Sequence, residues 1–146
     1  MNVIYHVPHL NTIYAGRTIY NAYKNAFTAL GHHFSFMTAD DDIPKTLKKT
    51  QPDILMMSLN SYILKYIDLD FIAKWKKQNP QLKIFVNTPF WKSPISKARV
   101  NESSSLKDNK YLLGLINSGI FDAFYCVCEQ EDPRMEGFTK HTGYKY

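Results

Sequence analysis

Residues 6–33, HVPHLNTIYAGRTIYNAYKNAFTALGHH, decide how the rest of the chain is read. They leave an apolar run, cross a polar loop holding one glycine and one arginine, and become a long amphipathic stretch. From Arg17 onward, apolar residues recur at Ile19, Ala22, Tyr23, Ala26, Phe27 and Leu30, the three-and-four spacing of one helix face. Gly31 follows as a stop. NVIYHV (2–7) before the loop and HFSFM (33–37) after the helix read as strands, so the stretch links two strands through a helix.

The alternation continues outward. Asp40, Asp41 and Asp42 sit where carboxylates cap the free N–H groups of a short helix through Lys45, Leu47 and Lys48. QPDILMMS (51–58) is a third strand, with Pro52 at its mouth. A helical region carries Leu64, Ile67, Phe71, Ile72 and Trp75 and closes at Asn79–Pro80. LKIFVN (82–87) is a fourth strand, followed by a long polar loop, TPFWKSPISKARVNESSS. A helix over Leu106–Ser118, a fifth strand FDAFYCVCE (121–129) and a short final helix with Pro133 near its start complete the order. Near-continuous apolar strands separated by helices predict a parallel sheet covered on both faces. The expected fold is a doubly wound, Rossmann-like α/β sandwich of five parallel strands in order 3-2-1-4-5, with residues 1–146 as a single domain.

Composition narrows the function. The 18 basic and 13 acidic residues leave a net charge of +5, which favours anionic partners. The lysines are spread through helical segments and form no long basic tract, so the charge reads as solvated surface and no nucleic-acid partner is expected. No stretch of about 18 apolar residues occurs, so no transmembrane segment is expected. The N-terminus carries no basic-then-apolar signal. Cys126 and Cys128, placed two apart in a strand, would lie about 6.5–7 Å apart along it, a poor geometry for a bond. Free thiols in a reducing, cytoplasmic setting follow, with no metal site, because the pair lacks companion ligands.

In an open α/β sheet, ligands sit beyond the carboxyl ends of the strands where strand order reverses. In the expected order that point falls between the first and fourth strands. Gly16 stands alone there, without the second and third glycines of a dinucleotide loop, and no G-K-S/T motif is present. Gly16 can still turn the chain into its helix with N–H groups aimed at the cleft, beside Asn11 and Arg17. A receiver-domain reading requires a phosphoacceptor aspartate after the third strand and an acidic pair after the first. The corresponding stretches, MMSLNS and HVPHLN, contain no aspartate, so the receiver-domain reading fails. His6 lies inside the first strand and reads as a buried, hydrogen-bonded histidine. His9, just beyond it, is the candidate general base. Asn87 and Thr88 offer hydrogen bonds to hydroxyls, while Phe90 and Trp91 offer flat faces to a sugar ring or, equally, to a neighbouring element. Glu129 is the carboxylate expected to orient a substrate.

Taken together, NVIYHVPHLNTIYAGRT, ALGHHFSFMT, QPDILMMS, LKIFVNTPFW and DAFYCVCEQE leading to FTKHTGYKY resemble the N-terminal Rossmann-like domain of a GT-B glycosyltransferase, of the spore-protein-like branch. The resemblance implies an acceptor-side domain that is catalytically incomplete alone. It implies a C-terminal donor-binding domain and a sugar or glycosylated acceptor as partners. No cofactor is implied for this domain itself, and a nucleotide-sugar donor is implied for the complete enzyme. His9, Asn11, Gly16 and Arg17 would correspond to the family's first loop, and Asn87 to Trp91 to its acceptor-side fourth loop. The family's usual G-G is here Ala15–Gly16. The other reading is a stand-alone flavodoxin-like binding or interaction domain without catalysis.

Overall fold

A computed structural model of the chain describes residues 1–11, 16–93 and 105–146. Tyr14 and Ala15 of the first loop and residues 94–104 of the long polar loop lie outside the described residues. The strands are β1 (Asn2–His6), β2 (His33–Met37), β3 (Ile54–Ser58), β4 (Lys83–Asn87) and β5 (Ala123–Tyr125). The helices are α1 (Gly16–Ala29), α2 (Ile43–Thr50), α3 (Ser61–Leu64), α4 (Leu69–Gln78), α5 (Lys110–Asn117) and α6 (Phe138–Thr142). The fold class is the expected doubly wound α/β sheet of five strands, and they lie in the order β2-β1-β3-β4-β5. Two adjacencies therefore differ from the expected 3-2-1-4-5: β3 lies between β1 and β4 instead of outside β2, pairing with β1 in the register Val3↔Ile54, Ile4↔Leu55 and Tyr5↔Met56. The physical reason is in the side chains. Ile54 to Met57 are all buried, as an inner strand requires, whereas β2 alternates exposed and half-buried residues up to Met37, as an edge strand does.

The chain divides into two compact units. The first comprises Met1–Met57 and Tyr66–Lys83. Here β1 buries Val3, Ile4, Tyr5 and His6 and pairs in parallel with β2 from Asn2↔His33 to His6↔Met37. Helix α1 lies on this sheet through aromatic rings. Phe27 stacks on Phe34 with centroids 5.4 Å apart, and Tyr20 and Tyr23 meet Tyr5 edge-on at 5.5 and 5.6 Å. Gly31, at φ +78°, ends the helix in the left-handed conformation that glycine adopts without a Cβ penalty. Asp42 caps α2 by accepting from the Lys45 N–H at 2.8 Å, and Asp41 accepts from the Thr38 N–H at 2.7 Å. The acidic cluster thus serves the backbone. Asp68 caps α4 in the same way, accepting from the Phe71 N–H. Leu47 and Ile72 bury the inner faces of α2 and α4.

The second unit comprises Ser58–Lys65 and Ile84–Tyr146. Strands β4 and β5 pair in parallel, with Phe85↔Ala123, Val86↔Phe124 and Asn87↔Tyr125. Asp122 fixes the entry to β5, since its carboxylate accepts from the Ile84 N–H at 2.8 Å while its own N–H donates to the Ile84 carbonyl. Asn109 caps α5 by accepting from the Leu112 N–H, so the expected helix over Leu106–Ser118 starts instead as a short 3-10 turn, Leu106–Asp108. The core of this unit is Phe138, fully buried, with Trp91, Phe124 and Tyr146 meeting its ring.

Candidate functional site

The strand order moves the point of reversal. The chain steps from β1 to β2 on one side and to β3 on the other, so ligand chemistry on such a sheet belongs at the carboxyl ends of β1 and β3. Strand β1 delivers His6 there, followed by buried Val7 and Pro8 and exposed His9. Strand β3 delivers Met56, Met57 and Ser58. His6 is 1% exposed, and neither ring nitrogen has a hydrogen-bond partner among the described residues. Burial pushes its imidazole down from 6.5 to about 4, against a smaller upward pull from the Tyr66 backbone. The ring is therefore neutral near pH 7. His9 stands at the surface with its ring edge-on to Tyr66, centroids 5.4 Å apart.

Asn11 and Arg17 come together. With Tyr20, Asn21, Lys24 and Phe36 they line a surface cleft of about 270 Å³ beside α1. Gly16 is the first residue of that helix. The remaining expected site residues fall in the second unit and are held by it. Asn87 ends β4, its carbonyl accepting from the Leu59 N–H. Thr88 is buried, donates its N–H to the Tyr125 carbonyl at 2.8 Å and its hydroxyl to the Pro89 carbonyl at 3.1 Å. Phe90 carries the Arg134 guanidinium 3.8 Å above its ring. Trp91, expected as a stacking face, is 6% exposed and covered by His141 and Phe138. Glu129 is exposed at the surface, and its carbonyl accepts from the Asp132 N–H.

One cluster was not anticipated from sequence, and a second, the cysteine pair, lies elsewhere than expected. Asp132 grips Arg134 through paired contacts of 3.0 and 2.6 Å, and this pair holds the Asp132 carboxyl down at about 2. Cys126 and Cys128 lie beyond β5, not within it, and both are free. Burial first, and then a hydrogen bond to the Cys128 thiol, push Cys126 up to about 12. The strand-spacing argument therefore does not apply to them. Among the described residues no group of three or more histidine, cysteine or carboxylate side chains is placed to hold a metal. No described helix is long and apolar enough to cross a membrane.

No family model matches the sequence, and no curated protein matches it. Solved structures do share its fold. One is RcsB from Salmonella enterica serovar Typhimurium, bound to promoter rprA in the presence of phosphomimetic BeF3-, with a TM-score of 0.50 at 16% identity over 89% of this chain. The chain spans 61% of that RcsB chain. A second is the N-terminal domain of the nisin resistance regulator NsrR, a lantibiotic response regulator, with a TM-score of 0.50 at 16% identity, covering 97% of this chain and 96% of that one. A third is the CheY-like protein tadZ from Pseudomonas aeruginosa PAO1, with a TM-score of 0.50 at 14% identity, covering 97% and 98%. These likenesses overturn the GT-B glycosyltransferase reading. The donor-binding domain and the sugar acceptor rested on that reading and fall with it, as does the nucleotide-sugar donor's only support. The exclusion of nucleic-acid partners is also withdrawn, because RcsB, a protein of this fold, is bound to promoter DNA. What the chain shares with these structures is the CheY-like, flavodoxin-like arrangement with strand order 2-1-3-4-5.

Proposed function

We propose that this chain is a binding module on a receiver-like fold, one that acts through association and not through an aspartyl phosphate. The observation supporting this reading is the residue set at the reversal point. Forming an acyl phosphate requires a carboxylate nucleophile after the third strand and an acidic pair after the first. Here β3 ends in Met56, Met57 and Ser58, and β1 ends at His6 and is followed by Val7, Pro8 and His9. A thioether is no phosphoacceptor, and the buried His6 ring, neutral at pH 7, supplies no negative charge to hold a divalent cation. A cytoplasmic location belongs to the same proposal, supported by the free thiols of Cys126 and Cys128.

The test is a comparison of backbone amide spectra with and without beryllium fluoride and magnesium. The expected result is superimposable spectra. Shifts concentrated at residues 6–9 and 56–58 would contradict the reading.

A further inference from the structure

We infer that the cleft beside α1 binds a phosphorylated nucleoside. The inference gives the binding module a ligand class and so rests on that reading. The two nevertheless fail separately, because beryllium fluoride interrogates the strand ends and a nucleotide titration interrogates this cleft.

Charge is the first support. Arg17 and Lys24 lie seven residues apart on α1, with Asn21 between them, so the three form one stripe about 10 Å long. All three line the cleft. Helix α1, GRTIYNAYKNAFTA, contains no acidic residue, and among the described residues neither cation forms an ion pair. The guanidinium fork matches phosphate oxygens in pairs, and the lysine adds a point charge.

Shape and polarity supply the rest. Tyr20 and Phe36, half-buried with centroids 6.2 Å apart, form an aromatic wall. The amides of Asn11 and Asn21 each carry donors and an acceptor, the complement needed for ribose hydroxyls and base edges. At about 270 Å³ the cleft lies just below the usual range of small-molecule sites. That size suits a mononucleotide and not a dinucleotide, in keeping with the missing G-x-G-x-x-G. Inorganic phosphate would leave the rings unused, and a bare nucleoside would leave both cations unused.

The experiment titrates the isotope-labelled chain of residues 1–146 with AMP, adenosine and inorganic phosphate at low salt, following backbone amide shifts. The expected result is saturable AMP binding with shifts at Asn11, Arg17 to Lys24 and Phe36, about tenfold tighter than either adenosine or phosphate. The double variant Arg17→Gln/Lys24→Gln, confined to exposed side chains, should weaken AMP about tenfold or more while leaving the spectrum folded. Phe36→Leu should weaken AMP but leave the weak phosphate response unchanged. Phosphate binding as tight as AMP would reduce the cleft to a basic surface and overturn the inference. So would AMP affinity unchanged in the double variant, or the absence of saturable AMP shifts at these residues.

Discussion

The Trp91 indole lies flat on the His141 imidazole, with ring centroids 5.5 Å apart and planes 14° from parallel. The Phe138 ring meets the same indole edge-on at 6.1 Å, and a Cβ at Gly137 would sit 3.0 Å from its Nε1. Trp91 is thus a core residue of the second unit. Trp91→Ala is expected to lower stability by about 3–5 kcal/mol, the range for emptying an aromatic from a core. Gly137→Ala, at φ +97° and with that close approach, is expected to cost about 1–3 kcal/mol. Urea unfolding of both variants checks this. A Trp91→Ala chain as stable as the parent would return the ring to the surface.

His6 sets an acid limit on stability. Its folded-state pKa of about 4 lies below the ordinary 6.5, so between these values the unfolded chain binds the extra proton. The contribution is complete above about pH 6.5 and is lost as pH falls toward 4, in total of order 3 kcal/mol. Unfolding free energy should therefore fall across this window in the parent, and His6→Leu should flatten the slope. Parallel pH profiles for the two chains would exclude His6 as the cause.

Much of this organisation can be read from the chain. The helix α1, the stop at Gly31 and the cap at Asp42 each act within a few residues, so local sequence carries them. The expected apolar face was only partly right: Ile19 and Leu30 are exposed, and Tyr20, Tyr23 and Phe27 make the contacts with the sheet. Strand order was less legible, although the continuous ILMM run against the alternating HFSFM already separates an inner strand from an edge strand. Function was harder still. The β–α alternation that suggested a glycosyltransferase belongs equally to every doubly wound fold, and a fold alone does not choose a chemistry. Within the site, Arg17, Asn21 and Lys24 share one helical stripe by simple spacing. The seating of Arg134 over Phe90, by contrast, joins residues 44 positions apart, and no pattern in the sequence announces it.

The thiols should react unequally. Burial and the Cys128 thiol hold Cys126 protonated far above neutral pH, and the thiolate is the reactive species. At pH 8, alkylation of the folded chain should label Cys126 more slowly than an unstructured cysteine. After denaturation without reductant, both residues should label fully. Rapid labelling of native Cys126, located by peptide mapping, would contradict this assignment.

At the surface, Asp132 should remain ionised down to about pH 2 because Arg134 binds its charged form through both side chain and backbone. Arg134→Ala should raise the Asp132 pKa toward the ordinary carboxylate value while leaving the second unit folded. Carboxyl carbon shifts followed through an acid titration report this directly. An unchanged Asp132 titration in the variant would show that the pair does not set it.

The central claim, binding without aspartyl phosphorylation, meets its most direct test in intact mass. The purified chain is incubated with a small acyl phosphate and magnesium, quenched at neutral pH and weighed beside a receiver domain of known competence. The reading predicts that the control gains one phosphoryl group and that this chain keeps its original mass. A phosphoryl adduct on an aspartate of this chain, labile to hydroxylamine, would contradict it.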